Sequence, residues 1–268
     1  MKALIIGDCH GEMPELPEKA DFDLVLAVGD ICGGTDEMRS AMFEARGSEE
    51  EWYEVFGEER AEEVVRSSIK KGKEILSKLD SLGVPIFVVP GNWDWTGENS
   101  DWEFLDGKGY PEMLKEFENI YNLNFCREEV NGWNFVGYGP CSGPEVPQYE
   151  DDKPGSDEEM EEIRAEYEEK KNCLKEVFTE DNTVFLSHNV PQGTSLDEID
   201  NPDSPVDGRH YGSVIVKELV EEFGPEYSIA GHMHEAEGRE KIGETECLNT
   251  GLNTVWVLDT EEGISKYS

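Results

Sequence analysis

Asp8-Cys9-His10 and His232-Met233-His234 each place two metal-type donors two residues apart. Gly29-Asp30, Gly91-Asn92-Trp93-Asp94 and Ser187-His188-Asn189 add further carboxylates, amides and an imidazole, and four of the chain's five histidines fall in these stretches. On an extended segment, residues two apart point to one face, so Asp8 and His10 are expected side by side. His232 and His234 either do the same or diverge to serve separate ions. A single histidine of this kind is ordinarily a hydrogen-bonded structural residue, and a single Gly-Asp is ordinarily a turn. Together they suggest a pair of divalent ions. Carboxylate, amide and imidazole donors suit Mn²⁺, Fe, Zn²⁺ or Ni²⁺, and the lack of thiolate pairs argues against a structural zinc. Cys9 and Cys32 are read as small packing residues.

These donors need strands to carry them. Apolar runs at Ala3–Ile6, Leu24–Val28, Val84–Val89, Thr183–Leu186 and Tyr227–Ala230 precede the five polar stretches, four of them through Gly or Ser. Such runs read as strands of a sheet covered on both faces. Pro90-Gly91 would make a turn in any protein, so what Asn92 and Asp94 do depends on the other strand ends. A 3.6-residue rhythm through Ala61, Val64, Val65, Ser68, Ile69, Gly72, Ile75, Leu76, Leu79 and Leu82 predicts a helix stopped by Gly83 and Pro85. The acidic stretch Glu49–Trp52 before it reads as a shorter helix or a lid. Ser156 and Glu159 form a capping-box pattern for a helix with Met160, Ile163, Tyr167, Leu174 and Val177 inward. Further strands are expected at Asn124–Glu128 and Trp133–Tyr138, and a helix over Ser213–Phe223. A closing meander is expected at Glu237–Ile242, Glu246–Asn249, Thr254–Leu258 and Ile264–Tyr267. Gly193 to Gly212 is a long loop of the kind that often serves function. The organisation expected is one domain, 1–268, with an acidic helical insertion at about 35–82 and an acidic loop and helix at about 144–178.

Composition narrows the function classes. The chain of 268 residues carries 62 acids against 23 bases, a formal net charge of −39, and its 37% apolar content suffices for a core. A groove binder of nucleic acid needs clustered Lys and Arg, so that class is disfavoured. The acids are spread over many segments, as on the solvated surfaces of proteins that work at high salt. The first strand starts at Lys2 with too short an apolar run for a secretory signal, and no segment approaches the ~20 apolar residues of a membrane helix. Six cysteines without a Cys-x-x-Cys pair read as reduced thiols of a cytoplasmic protein.

Asp-x-His, Gly-Asp, Gly-Asn-x-Asp, His and Gly-His-x-His, taken in order from Asp8 to His234, resemble the calcineurin-like metallophosphoesterase superfamily. The segment His188–Asp197 is similar to its small prokaryotic, especially archaeal, members. The resemblance implies an α/β, four-layer α-β-β-α sandwich with two mixed sheets and a dinuclear site at the strands' C-terminal ends. It implies that Asp8, His10 and His234 hold one ion and Asn92, His188 and His232 the other, with Asp30 between them. The pair is expected to be Mn²⁺, with Fe, Zn²⁺ or Ni²⁺ as alternatives. A hydroxide held between ions ~3.5–4 Å apart would attack the phosphorus of a small phosphate ester in line. Asn92 and Asp94 belong to the implied catalytic motif. That motif usually reads Gly-Asn-His-Asp, and here Trp93 takes the place of the histidine. Indole has an N–H but delivers no proton at neutral pH. Proton delivery is worth roughly 10²- to 10⁴-fold, most for poor leaving groups. The departure points to a phosphodiesterase on a small or nucleotide-like substrate. A phosphomonoesterase or protein phosphatase is the enzymatic alternative, and a metal-stabilised binding scaffold the non-enzymatic one. His210 reads either as a loop residue near a helix N-cap or as a substitute acid assisted by Arg209.

Overall fold

The computed structural model describes residues 1–268 apart from 18–20, 46–47, 49, 97–101, 106–108, 140, 180, 203 and 268. In chain order the first half contains β1 (Lys2–Ile6), β2 (Leu24–Ala27), α1 (Asp36–Ala45), α2 (Trp52–Phe56), α3 (Glu58–Asp80), β3 (Ile86–Val88), α4 (Tyr110–Leu114) and β4 (Ile120–Asn122). The second half contains β5 (Arg127–Val130), β6 (Trp133–Tyr138), α5 (Asp157–Val177), β7 (Thr183–Asn189), α6 (Val214–Phe223) and β8 (Tyr227–Gly231). It closes with β9 (Gly238–Ile242), β10 (Thr245–Asn249), β11 (Val255–Asp259) and β12 (Gly263–Lys266). One six-stranded sheet has the order β12-β11-β1-β2-β3-β4 and the other β5-β6-β7-β8-β10-β9. In the first, β1–β4 run parallel out to the β4 edge and antiparallel β11 and β12 finish the other side; in the second, the four central strands run parallel and antiparallel β5 and β9 finish the two edges.

Period-two alternation sorts the side chains into three apolar layers. Ala3, Ile5, Leu24, Leu26 and Phe87 face the second sheet and meet Phe135, Val184, Leu186, Ile229 and Leu248. Leu4, Ile6, Val25, Ile86 and Val88 face the opposite way and are covered by α1–α4. Val136, Phe185, Ala230 and Cys247 form the outer face of the second sheet, under α5 and α6. The result is the expected four-layer α-β-β-α sandwich, with the parallel strands' C-terminal ends at one rim.

The helices follow the sequence signals closely. In α3 the residues Ala61, Val65, Ser68, Gly72, Ile75, Leu76 and Leu79 are buried, and the helix ends at Asp80 ahead of Gly83. Ser156 caps α5 by accepting from the Glu159 N–H, but only Tyr167 and Leu174 of its inward set are fully buried. Ser213 caps α6 and left-handed Gly224 ends it. The acidic stretch before α3 contains the short helix α2; Glu49 lies outside the described residues, as does Asp203 of the Gly193–Gly212 loop.

Three expectations are corrected. The strand foreseen at Asn124–Glu128 is instead the hairpin strand β5, paired antiparallel with β6, while Ile120–Asn122 forms β4 at the edge of the other sheet. Left-handed Phe125, between these two strands, marks the turn from one sheet to the other. The closing strands are not one meander: β9 and β10 belong to the second sheet, but β11 and β12 belong to the first. Left-handed Gly251 and Asn253 carry the chain across the seam, where β11 pairs with the free side of β1. Finally, β7 runs on through Asn189 instead of stopping at Leu186, with a bulge between Leu186 and Asn189 that re-aims His188.

Leu76 is fully buried where α3 meets the first sheet. Leu76→Ala is expected to lower the unfolding free energy by about 2–5 kcal/mol, measured by denaturant titration. An unchanged midpoint would show that α3 is only loosely attached.

Candidate metal centre

The rim places all the donor stretches within reach of one another, and strained backbone is the means. His10, Asp30 and His232 have φ of 47°, 47° and 66°, a left-handed conformation costing a non-glycine residue roughly 1–2 kcal/mol. Asp8 and His10 therefore do not share one face of an extended segment, as their spacing had suggested. The chain turns at His10, and the turn brings both side chains inward. The glycines before the donors make room for carboxylates to lie against backbone: a Cβ at Gly91 would overlap Asp30 Oδ1, and one at Gly231 would overlap Asp8 Oδ1. This is the physical content of the Gly-Asn and Gly-His patterns.

Two donor groups result. Asp8, His10 and His234 present ligand atoms within 4.8 Å of one another, and so do Asp30, His188 and His232. Each group joins the first sheet, through Asp8 or Asp30, to the second, through His234 or His188 and His232. Asp30 Oδ2 lies 3.4 Å from His10 Nε2 and 3.6 Å from His188 Nε2, facing both groups. Asn92 joins the second group, its Oδ1 2.9 Å from His188 Nε2.

The hydrogen bonding shows what these atoms require. His188 Nδ1–H donates to the Val28 carbonyl at 2.9 Å, so Nε2 offers a lone pair to the site. That lone pair meets two more acceptors, Asn92 Oδ1 and Asp30 Oδ2, and three converging acceptors are satisfied by a cation. His232 Nε2 lies 3.2 Å from the Ser142 carbonyl, a partner of the kind that orients a ligating imidazole. Among the described residues, buried Asp8 Oδ1 and His10 Nδ1 have no hydrogen-bond partner. The residues fit a pair of dications.

Asp94, which belongs to the implied catalytic motif, makes its contacts with backbone. It is fully buried and accepts from the Cys32 and Gly91 N–H groups, each at 2.8 Å. It thus clamps the loop after Asp30 to the loop holding Asn92. Trp93 donates its backbone N–H to Asp30 Oδ1 at 2.8 Å while its indole packs edge-on to His10, ring centroids 6.3 Å apart. The structure does not bring His210 onto the centre: its Nδ1 is 2.8 Å from Asp197 Oδ1 and its N–H donates to the Tyr149 hydroxyl.

One positioning residue escaped the sequence reading. Buried Asn249 donates to the Leu196, Met233 and Ala236 carbonyls and accepts from Gly251, fixing the loop that carries His232 and His234. Its strand reads Thr-Glu-Cys-Leu-Asn, not an apolar run, so no local signal singled it out. A cavity of about 250 Å³ opens beside His10, bordered by Thr35, Glu63, Ser67 and Lys71.

Burial pushes His10 and His188 down to about 4 and His232 down to about 3, so all three imidazoles are neutral donors. Burial, then the neighbouring charge of Asp8, raises Asp30 well above the carboxylate range, and burial pushes Asp94 up to about 7. The signs oppose each other in the metal-free protein. Between about pH 4 and 6.5 the unfolded chain binds protons at three histidines that the folded chain excludes, while the folded chain retains protons at two aspartates. Stability therefore rises weakly with pH up to about 6.5. Above that only the aspartates count, and stability falls. Denaturant titrations of the metal-free protein from pH 5 to 8 are expected to show a maximum near pH 6.5, and saturating divalent metal is expected to abolish the decline. A monotonic rise through pH 8 without metal would contradict this balance.

The description "calcineurin-like phosphoesterase" matches residues 1–236. An uncharacterized protein of Methanocaldococcus jannaschii, MJ1162, is 26% identical over 272 residues, covering 98% of this chain and 94% of that one. A solved crystal structure superposes with a TM-score of 0.67 at 20% identity, over 100% of this chain and 99% of its own. The phosphopantetheinyl hydrolase of Mycobacterium tuberculosis gives 0.52 at 13% identity, over 93% and 88%. No helix among the described residues is long and apolar enough to cross a membrane. With the sandwich, the paired donor groups and the match over residues 1–236 in agreement, this chain belongs to the calcineurin-like phosphoesterases and is a dinuclear-metal phosphoester hydrolase.

Proposed function

We propose that the chain hydrolyses a small phosphodiester at two divalent ions, one held by Asp8, His10 and His234 and the other by Asn92, His188 and His232, with Asp30 shared. The observation that carries this reading is the pair of donor groups that meet at one carboxylate, Asp30 Oδ2, which lies 3.4 Å from His10 Nε2 and 3.6 Å from His188 Nε2. When bound, such a pair of dications activates water as a nucleophile at neutral pH and neutralises charge on the phosphate oxygens. The chain's own residues keep His10, His188 and His232 neutral through burial, orient His188 through Val28 and clamp the Asn92 loop through Asp94. Mn²⁺ is the first choice of ion for this thiolate-free set, with Fe, Zn²⁺ and Ni²⁺ as alternatives.

Trp93 supports a diester. Its indole is packed into the core beside His10, so position 93 supplies no proton to a leaving oxygen. A monoester with a poor leaving group suffers most from that loss.

The test compares an aryl phosphodiester with the matching monoester under Mn²⁺, Ni²⁺ and Zn²⁺. The diester is expected to turn over faster, and His188→Ala to reduce that turnover by ~10²-fold or more while removing one of two bound ions. Binding of both metals without turnover of either ester would favour a scaffold instead. The reading of His210 as a substitute acid is tested in the same assay, although its contacts are with Asp197 and Tyr149 and not with the metal donors. His210→Ala is then expected to slow alkyl esters by ~10²-fold and spare aryl esters; equal rates for the alkyl ester in the variant and the parent would remove it from the mechanism.

A further inference from the structure

We propose that Arg39 is the cation that receives the phosphate oxygens of the substrate, in the region where Trp93 leaves the centre without an imidazole; this rests on the phosphoesterase reading above. Arg39 lies in the first turn of α1, just beyond Gly34 and Thr35. Its guanidinium sits over the Trp93 ring, 5.3 Å from the centroid. That ring has little freedom: a Cβ at Gly34 would overlap it, and its edge meets His10. The indole is therefore a fixed platform running from the metal centre to Arg39, and a planar guanidinium is the cation best suited to lie on it.

Charge points the same way. Arg39 is exposed, yet its charge acts on both His10 and Asp30. Among the described residues no carboxylate lies within 4.0 Å of it, in a chain with 62 acids and 23 bases. Once two dications occupy the centre, an unpaired guanidinium facing them is repelled unless an anion lies between. A phosphoryl group meets that requirement, with metals on one side and a forked hydrogen-bond donor on the other. Arg39 supplies charge and N–H groups but no proton. It therefore stabilises the transition state equally for good and poor leaving groups, which separates its role from that of an acid.

The experiment uses the metal-loaded protein with Arg39→Met and Arg39→Lys. Inorganic phosphate binding is measured by calorimetry, kcat/KM over aryl diesters of graded leaving group, and metal content by elemental analysis. Arg39→Met is expected to weaken phosphate binding and lower kcat/KM by ~10- to 100-fold each, with an unchanged dependence on leaving group and two ions still bound. Arg39→Lys is expected to fall between Arg39→Met and the parent, since an ammonium keeps the charge without the fork. Phosphate binding within twofold of the parent in Arg39→Met would overturn the proposal, as would a steeper leaving-group dependence. If the parent turns over no ester at all, the phosphoesterase reading fails by itself, and the calorimetric comparison still decides whether Arg39 binds phosphate.

Discussion

Three carboxylates, Asp8, Asp30 and Asp94, are buried together where the two sheets meet at their C-terminal rim. Like charges in so dry a place repel, and burial makes the ionised forms of Asp30 and Asp94 costly. Much of the surrounding architecture serves to relieve that cost. Backbone N–H groups of Trp93, His232, Cys32 and Gly91 point at the three side chains, and glycines let them approach. The part that backbone dipoles leave uncompensated calls for dications, which explains why imidazoles gather around Asp8 and Asp30 but not Asp94.

The same constraint ties the site to the fold. Each donor group takes ligands from both sheets, so an ion in either acts as a clip across the sandwich seam. The crossing of the chain from β10 to β11 happens beside Asp8, whose carbonyl accepts from Asn253 and whose backbone bridges to Leu252. Asn249, at the end of β10, holds the loop of His232 and His234. Stability of the rim and competence of the site are thus carried by shared residues, and strain at His10, Asp30 and His232 persists because packing on both sides leaves those residues no other conformation.

Substitution of an indole for the imidazole usual at position 93 alters more than one contact. Trp93 meets Trp95, which meets Trp52, which meets Trp102, so the ring nearest the metals is the end of an aromatic cluster extending under α2. The helices between β2 and β3 are anchored by this cluster and by the buried face of α3. Ser68 of α3 reinforces the anchor, accepting from Trp95 Nε1 and from the Gly33 N–H. The acidic segment that looked like an insertion in sequence is therefore attached through the very residue that departs from the family pattern.

Sequence alone marked most of the strands, the long amphipathic helix, the caps at Ser156 and Ser213, and the candidate donors, because each depends on local periodicity or on chemistry that few residue types provide. The layering of α-β-β-α was implied by the family resemblance that the ordered motifs carry. Local spacing left open whether His232 and His234 share an ion, and the division that the family resemblance implied matches the two donor groups. Tertiary structure turned His10 through a left-handed backbone and surrounded Asp94 with N–H groups from two loops. It moved β11 and β12 to the other sheet, since an edge strand's partner is fixed by what lies across the seam and not by its neighbours in the chain. Arg39 and Asn249 were invisible for the same reason. Nothing in their local sequence marks them; their roles come from Trp93, 54 positions away from Arg39, and from a loop that only folding brings to Asn249.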